Sequence, residues 1–389
     1  MKKIDIKVTP DAGAYDVIVG SGRLESVDEI FLDRMQRLSS RCVVISNEQI
    51  FKLHGQWLVS MLENSGIEAE TILVGDGERF KNLETLEAAL DGFSRFGLKR
   101  TDFVVAFGGG VVGDLAGFAA AVYLRGVPFV QVPTTLLAMV DSSVGGKTGI
   151  NSSFGKNLVG SFHHPSFVLA DVDLLATLDA REFRAGVFEM VKHAGISGGE
   201  VFDETKRFVS STDFTSPAQL FADDEFAIEI SKLVAMHVAV KADVVGRDAR
   251  ENVSRSDAGS RKILNFGHTI AHALERATNY EYFLHGEAVG YGIAAANELA
   301  KNLEFCDKHS VNLLNDVVRS VGVLPPADGI DVDEVIRLIG HDKKNTERGL
   351  QWILLRRVGE PEIVSGEKVP VSEIRNAVSK VLEKSFWGS

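Results

Sequence analysis

The stretch Asp102-Phe-Val-Val-Ala-Phe107, continued by Gly108-Gly-Gly-Val-Val-Gly113, predicts a buried strand that turns through three glycines into a helix. A short apolar run that ends at glycine is typical of a strand covered on both faces of a sheet. Helical periodicity follows over residues 114–123, and residues 127–132 have the pattern of the next strand. Strand, helix and strand in this order predict two parallel strands joined by a crossover helix.

The same alternation extends toward the N-terminus. Strand patterns at residues 41–46 and 68–74 alternate with helix patterns at 50–64 and 83–96. The glycine- and serine-rich stretch 141–162 reads as a long loop, and a loop of that length in a compact protein is usually functional.

The second half of the chain has a different pattern. One strand candidate lies at residues 352–357. Helical periodicity covers residues 183–196, 226–245, 267–278, 287–303, 310–321, 332–340 and 371–384. We therefore expect an α/β, Rossmann-like N-terminal domain over residues 1–181 and an all-α C-terminal domain over residues 182–389, with the active site in the cleft between them.

The bulk composition is that of an ordinary soluble enzyme. A formal charge of −12 over 389 residues argues against general binding to nucleic acid or to a membrane surface. The two cysteines, Cys42 and Cys306, fit a reducing cytosol and exclude a cysteine-based metal site or a disulfide framework. The N-terminus lacks a signal-peptide core, and the sequence has no apolar run suited to span a bilayer. We expect a cytosolic protein.

The glycine turn after residue 107 formally matches G-x-G-x-x-G. Glycines at this position let the backbone approach a pyrophosphate, which the helix N-terminus attracts. The next strand, however, ends in Pro133-Thr-Thr135 without an acidic residue for the ribose, although the earlier loop Asp76-Gly-Glu-Arg-Phe-Lys81 could supply one. The alternative is a tight turn that only lets the helix pack closely on the sheet.

A second motif is Asn265-Phe-Gly-His-Thr-Ile-Ala-His-Ala-Leu-Glu275, followed by His285. Histidines four residues apart lie on one helix face, and two imidazoles with a carboxylate suit a catalytic divalent metal. Glu189, on an apolar helix, is the best carboxylate candidate, with His193 as a rival ligand. The alternative is a surface ion pair between Glu189 and Lys192.

Several basic residues lie beside glycines in this acidic chain. Gly-Gly-Lys147-Thr resembles a phosphate-binding loop, but Val140 stands where its first glycine should be, so a Walker-type nucleoside triphosphatase is disfavoured. Lysines in rigid glycine loops still suggest an anion site. Each of them alone could equally be a solvated surface charge. The candidates beside glycines are Arg125, Lys147 and Lys156. Further basic candidates are Lys241 on an apolar helix face, Arg261 just before the histidine motif, and Lys343 and Lys344.

Together these segments resemble the sugar phosphate cyclases. The matching segments occur in the order of that family and extend over residues 40–345. They are GGGVVGD (108–114), PTTLLA (133–138), DSSVGGKTG (141–149), GKNLVG (155–160), EMVK (189–192), NFGH (265–268) and LHGE (284–287).

The resemblance implies a set of cofactor and substrate contacts. Zinc, with cobalt as the alternative, would be held by Glu189, His268 and His285, so that His272 would lie beside the substrate instead of on the metal. The implied NAD contacts are Asp76, Gly77, Glu78, Lys81, Gly109, Gly110, Val111, Val112, Gly113, Asp114, Thr134, Thr135, Lys147, Lys156, Leu174, Leu175, Ala176 and Thr177. The implied substrate contacts are Asp141, Lys147, Asn157, Lys192, Lys241, Arg261, Asn265, His272 and one of Lys343 and Lys344, taken as Lys344. Arg125 is similar to an arginine that the family supplies across a homodimer interface to the substrate phosphate.

The resemblance also implies a reaction. A carbon–oxygen lyase would cyclise 3-deoxy-D-arabino-heptulosonate 7-phosphate through transient oxidation by NAD, β-elimination of phosphate, re-reduction and an intramolecular aldol closure. The alternatives are another sugar phosphate cyclase of secondary metabolism and a metal-dependent glycerol-type dehydrogenase. A non-catalytic binding protein on the same fold is the alternative outside the enzymes.

Overall fold

The computed structural model describes residues 4–10, 13–22, 28–342 and 349–387, so the predicted substrate contacts Lys343 and Lys344 lie outside the described residues. The chain divides into two compact units. The first unit contains Met1–Asp179 and Ser216–Gly246, and the second contains Ala180–Thr215 and Arg247–Ser389. The predicted functional division at residue 181 stays a prediction.

The strands and helices are numbered here along the chain. The strands are β1 Ile4–Val8, β2 Tyr15–Gly20, β3 Arg41–Asn47, β4 Glu68–Val74, β5 Phe103–Gly108, β6 Phe129–Pro133, β7 Lys147–Ser152, β8 Gly155–Phe162, β9 Phe167–Asp171, β10 Gln351–Leu355 and β11 Pro361–Ser365. The helices are α1 Asp28–Leu38, α2 Glu48–Ile50, α3 Gln56–Asn64, α4 Leu83–Phe96, α5 Gly110–Val122, α6 Ala180–Ser197, α7 Gly199–Ser211, α8 Pro217–Leu220, α9 Asp224–Arg247, α10 His268–Ala277, α11 His285–Asn302, α12 Lys308–Ser320, α13 Val332–Asp342, α14 Val371–Leu382 and α15 Lys384–Trp387.

The first unit is built on a mainly parallel sheet. Among the described residues, seven strands pair in the order β1-β2-β9-β6-β5-β3-β4. All neighbours from β2 to β4 are parallel, and β1 pairs antiparallel with β2 at one edge. The chain passes from β3 outward to β4 and then returns to β5 on the other side of β3. The direction of winding therefore reverses between β3 and β5, which is where ligands bind in such sheets.

Helices α4 and α5 cover the central strands, and the core of this unit lies between them and the sheet. Phe93 of α4 and Phe129 of β6 are fully buried, together with the apolar side chains of β3 and β5. Since both faces of a parallel sheet are covered, its strands are apolar at nearly every position instead of alternating. The predicted α/β, Rossmann-like architecture is confirmed.

The stretch 141–162 was predicted as a loop, and this was wrong for most of it. β7 and β8 pair as an antiparallel hairpin, with Lys147 opposite Phe162 and Ile150 opposite Val159. β8 is largely exposed and carries glycines and polar residues, so it lacks the alternation that predicts a half-buried strand. Strands β2, β9 and β11 were also missed.

The second unit is mainly helical, as predicted, and also carries the hairpin β10–β11. Its central helix is α11, which is buried from Gly286 to Ala300 and packs against α6, α10, α12 and α14. The many glycines and alanines of α11 allow neighbouring helices to approach it closely. In the part of the chain that the structure describes, no helix is both long and apolar enough to cross a bilayer.

Candidate functional site

The first unit brings the predicted NAD contacts to one edge of the sheet. Asp76 follows β4, Gly109 follows β5, Thr134 follows β6 and Leu174 follows β9. Parallel strands present their carboxyl ends at the same edge, so these segments are neighbours. Asn47, the last residue of β3, belongs with them, because its side-chain amide donates to Asp76 Oδ1 at 2.7 Å. The sequence had not singled out Asn47.

The glycine turn supports both interpretations that the sequence left open. A Cβ on Gly113 would lie 2.7 Å from Gln131 Oε1, so α5 packs closely on β6 at this glycine. A Cβ on Gly110, the first residue of α5, would lie 3.1 Å from Ser142 Oγ and would fill the space above the turn. The first N–H groups of α5 have no partner within the helix and attract an anion. The turn therefore fits a dinucleotide pyrophosphate.

A buried lysine connects this edge of the sheet to the β7–β8 hairpin. Lys81 Nζ donates to Asp114 Oδ2 at 2.5 Å and to Asn157 Oδ1 at 2.6 Å. Burial raises the pKa of Asp114, and the charge of Lys81 opposes that shift. Two predicted cofactor contacts and one predicted substrate contact thus form a single hydrogen-bonded group.

The first unit also contains most of the predicted anion-binding residues. Lys241 of α9 is buried, donates from Nζ to the backbone oxygen of Asp141 at 2.6 Å and pairs with the Asp141 carboxylate. Lys147 and Arg125 are exposed, and Lys156 is half-buried. The last two residues before Gly126, Leu124 and Arg125, have positive φ angles of 48° and 64°.

The second unit contains a cluster of potential metal ligands. Glu189 of α6, His268 of α10 and His285 of α11 have donor atoms that all lie within 4.8 Å of one another. Glu189 Oε1 lies 3.3 Å from His285 Nε2 and 3.8 Å from His268 Nε2. Lys192 Nζ lies 2.6 Å from Glu189 Oε2, so the ion pair weighed from the sequence is present and buried. Three different helices therefore meet at one point.

Close approach at glycine makes this meeting possible. A Cβ on Gly286 would lie 1.9 Å from the backbone oxygen of Ala185, so α11 touches α6 directly beside His285. A Cβ on Gly292 would lie 2.0 Å from the backbone oxygen of Gly267, where α10 begins. Gly267 itself has a φ of 79°, a backbone conformation that glycine adopts readily and other residues rarely adopt. These contacts fix the distances between the three ligand-bearing helices.

Two of the three donor residues, Glu189 and His268, have the protonation states that a divalent cation needs. Burial and the charge of Lys192 lower the pKa of His268 well below its ordinary value, so its ring is neutral. His268 Nδ1 lies 3.1 Å from the backbone oxygen of Phe266; donation there leaves Nε2 as the free ligand atom. Burial alone would raise the pKa of Glu189, but Lys192 and His285 hold it below its usual range. In the described residues, neither Glu189 oxygen accepts a well-directed hydrogen bond. The cluster fits a divalent metal.

The sequence did not identify Glu275, which lies behind His285. Its Oε1 is 3.4 Å from His285 Nδ1, and its side chain is almost completely buried. Burial lowers the pKa of His285, but the nearby carboxylates of Glu189 and Glu275 outweigh burial and raise this pKa to about 9, so a cation would have to displace a proton from this ring. Metal-binding histidines commonly donate their second ring nitrogen to a carboxylate in this way. The spacing was visible, since Glu275 follows His268 by two helical turns on the same face of α10.

A Glu275→Gln variant tests this positioning role. The amide keeps the size of the side chain but removes the charge that orients His285, so we expect the metal affinity of the metal-free protein to fall about 10- to 100-fold. Competition with a chelating dye measures this affinity. Glu281→Gln, which changes an exposed residue of the following loop, is the matched control. Equal affinities of the two variants would contradict the role.

A second carboxylate holds the backbone of Leu284, the residue just before His285. Glu287 is buried and accepts a hydrogen bond from the Leu284 N–H at 2.8 Å. It also accepts two hydrogen bonds from the Arg181 guanidinium, at 2.5 and 2.7 Å. Arg181 also donates to the backbone oxygen of Tyr282 at 2.6 Å. This network closes the first turn of α11, where His285 is the first residue, and Arg181 was not predicted from the sequence.

The remaining predicted residues of the second unit differ in accessibility. His272 is exposed, and its ring centroid lies 5.4 Å from that of His268 and 6.1 Å from that of His285. Arg261 is buried and donates from Nη1 to the backbone oxygen of Ala249 at 2.9 Å. Asn265 is half-buried, at the end of the turn that precedes α10. His272 is thus beside the ligand cluster, and the guanidinium of Arg261 is tied to the backbone.

The chain matches two family models in sequence. Residues 71–185 match the 3-dehydroquinate synthase N-terminal family, and residues 186–345 match the 3-dehydroquinate synthase C-terminal family. The 3-dehydroquinate synthase of Roseobacter denitrificans is 41% identical over 366 residues, which cover 92% of this chain and 94% of that protein. The enzyme of the same name from Citrifermentans bemidjiense is 39% identical over 354 residues, or 91% of this chain and 93% of that protein.

Solved structures of related cyclases have the same fold. A 2-deoxy-scyllo-inosose synthase complexed with carbaglucose-6-phosphate, NAD+ and Co2+ superposes with a TM-score of 0.81 and 25% identity, over 97% of this chain and 99% of that one. The 2-epi-5-epi-valiolone synthase of Streptomyces hygroscopicus, with NAD+ and Zn2+ bound, gives 0.79 and 27%, over 94% and 96%. A glycerol dehydrogenase of Schizosaccharomyces pombe, at 14% identity and a TM-score of 0.60, is similar in fold alone.

Proposed function

Since the chain belongs to the 3-dehydroquinate synthase family, we propose that it catalyses that family's reaction with the residues described above. It is a carbon–oxygen lyase that converts 3-deoxy-D-arabino-heptulosonate 7-phosphate into 3-dehydroquinate and phosphate, a step of the shikimate pathway to the aromatic amino acids. The observation that carries the proposal is the cluster of Glu189, His268 and His285, because its buried, charge-balanced carboxylate and neutral imidazole are the donor set of a catalytic zinc or cobalt site.

The two cofactors would be held by different parts of the chain. We propose that residues 1–181 bind NAD through the carboxyl-terminal edge of the sheet, and that residues 182–389 bind the metal and much of the substrate. When bound, NAD would supply reversible hydride transfer with a substrate alcohol, and the metal would supply polarisation of the oxygen at that carbon. The chain's own groups supply position and charge: the α5 N-terminus receives the pyrophosphate, and Glu189, His268 and His285 hold the cation.

The substrate carries a phosphate and a carboxylate, and the basic residues suit these anions. Lys147 and Lys156 lie on the hairpin beside glycines, and Lys241 is oriented by its pair with Asp141. Lys192, which stays a predicted substrate contact, also balances the charge of Glu189, since its Nζ lies 2.6 Å from Glu189 Oε2. A polyol dehydrogenase would need no such set of cations, which favours a phosphorylated substrate over that alternative.

The deciding experiment is release of inorganic phosphate from the heptulosonate phosphate with NAD present in catalytic amounts. We expect many phosphates per NAD and no net accumulation of NADH, because the cofactor is restored in each turnover. Stoichiometric NADH formation on glycerol without phosphate release would select the dehydrogenase instead. Turnover of a phosphorylated hexose, without turnover of the heptulosonate, would select a cyclase of secondary metabolism.

We further propose that the chain acts as a homodimer in the cytosol. Two exposed apolar groups support an interface in the first unit. Leu124 and Val122 stand beside Arg125, and Phe154, Leu158 and Phe162 project from the hairpin. Arg125 would then reach the phosphate bound by the partner subunit. The free thiols of Cys42 and Cys306 suit a reducing compartment.

Mixed dimers test the role of Arg125. Arg125→Ala and Lys147→Ala should each be nearly inactive. Coexpression of the two should restore about one quarter of wild-type activity in the unseparated mixture and about one half in mixed dimers purified through separate tags, because each mixed dimer has one intact site of two. The restored site combines an intact Lys147 in one subunit with Arg125 of the other. No recovery in purified mixed dimers would mean that Arg125 acts within its own subunit, and a monomer in sedimentation analysis would refute the interface.

A further inference from the structure

Asn151, near the end of β7, has no role in the reaction outlined above, yet it joins two segments that do. Its Nδ2 donates to Glu78 Oε1 at 2.8 Å, and its Oδ1 accepts from the backbone N–H of Asn157 at 2.9 Å. Its own backbone N–H donates to the backbone oxygen of Lys81 at 2.7 Å. One side chain thus ties the loop of residues 78–81 to the tip of the hairpin.

Both ends of this amide are needed, because one end donates and the other accepts. An aspartate would present a carboxylate to Glu78 Oε1, and an alanine would leave both segments without their link. The segment it holds is conformationally costly, since Asn157 adopts a φ of +57°. Asn157 Oδ1 in turn accepts from Lys81 Nζ at 2.6 Å, and Lys81 also donates to Asp114. Glu78, Lys81, Asn151 and Asn157 therefore form a closed hydrogen-bonded ring.

We propose that Asn151 is a positioning residue that couples the NAD-binding loop, residues 78–81, to the substrate-contacting residue Asn157. The inference rests on the proposed function, which assigns Glu78 and Lys81 to the cofactor and Asn157 to the substrate. Loss of the link leaves each contacting group in place but frees the loop and the hairpin to move separately. Binding of NAD must then also order both segments, and the lost conformational entropy lowers the affinity for NAD.

The test compares Asn151→Ala with Ser152→Ala, a matched control in the same hairpin. The Ser152 hydroxyl accepts from the Phe154 N–H at 3.3 Å and so serves the hairpin alone. We expect NAD+ binding, measured by titration calorimetry, to weaken about tenfold in Asn151→Ala and to stay unchanged in Ser152→Ala. The turnover number should fall with the heptulosonate phosphate saturating, and both variants should melt within a few degrees of wild type.

A swap of donor and acceptor separates positioning from general stability. Asn151→Asp alone should bind NAD+ less tightly than Asn151→Ala, because two carboxylates then face each other. Adding Glu78→Gln restores an amide-to-carboxylate bond in the reverse direction, and the double variant should recover part of the affinity lost in Asn151→Asp. Unchanged NAD+ affinity in Asn151→Ala, with a lowered melting temperature, would overturn the inference and leave a merely structural residue. Absence of NAD+ binding by the wild-type protein would instead refute the proposed function itself, and the inference with it.

Discussion

A His285→Ala protein should fold, contain almost no bound metal and release phosphate at least about a thousandfold more slowly than wild type. The imidazole would supply one of the three proposed metal ligands, and its side chain is 35% exposed, so its removal opens no large cavity in the core. The free energy of unfolding should fall by about 1–3 kcal/mol, because the buried Glu275 carboxylate loses its partner. Metal content by mass spectrometry, circular dichroism and the phosphate assay measure the three outcomes.

Two comparisons sharpen this result. His309→Ala, at an exposed histidine of α12, should leave metal content and rate unchanged. Glu189→Gln should also lose the metal, but it strips the buried Lys192 of its counter-charge and should lose about 3–5 kcal/mol of stability as well. Full activity of His285→Ala with one metal per chain would refute the ligand assignment.

The second large effect is expected at Lys147, the exposed first residue of β7. Lys147→Ala should lower kcat/KM by about two to three orders of magnitude, because a charged contact to a substrate or cofactor anion is lost. Its stability should change by no more than about 0.5 kcal/mol, since the side chain is on the surface. Steady-state phosphate release and thermal melting separate the two quantities.

Lys99→Ala removes an equally exposed lysine from the same unit and serves as the control. Both variants change the net charge by the same amount, so a rate loss confined to Lys147→Ala excludes a general electrostatic effect. An unchanged kcat/KM in Lys147→Ala would count against the anion site on the hairpin.

The parallel sheet was predictable because each of its strands and covering helices is encoded by a short, continuous segment of the sequence. Each strand is an apolar run ended by a turn residue, and each covering helix has its own period, so β4 and α4 were predicted with the bounds that the structure has. The β7–β8 hairpin was not predictable in this way. β8 is exposed to solvent and contains glycines, so its sequence shows no alternation of apolar and polar residues. It forms a strand because it pairs with β7.

The candidate metal cluster was only partly visible in the sequence. The spacing of His268 and His272 indicated a helix pair, but the structure groups His268 with His285 and Glu189. That outcome depends on where α10 crosses α11, which is decided by the contact of Gly267 with Gly292. The position at which two helices cross leaves no periodic pattern in a single sequence, so it could not be predicted from periodicity. The resemblance to a known family, not the spacing, indicated the arrangement that the structure has.

The pairing of Glu189 with Lys192, one helical turn apart, has a consequence for how the enzyme matures. The ligand carboxylate is electrically balanced within its own helix before any cation arrives. Small zinc domains depend on the ion to fold, because their ligands repel or stay unpaired without it. For this chain we expect synthesis and metal loading to be separable events, so that a pool of folded apoprotein forms first and takes up whichever suitable ion the cell supplies.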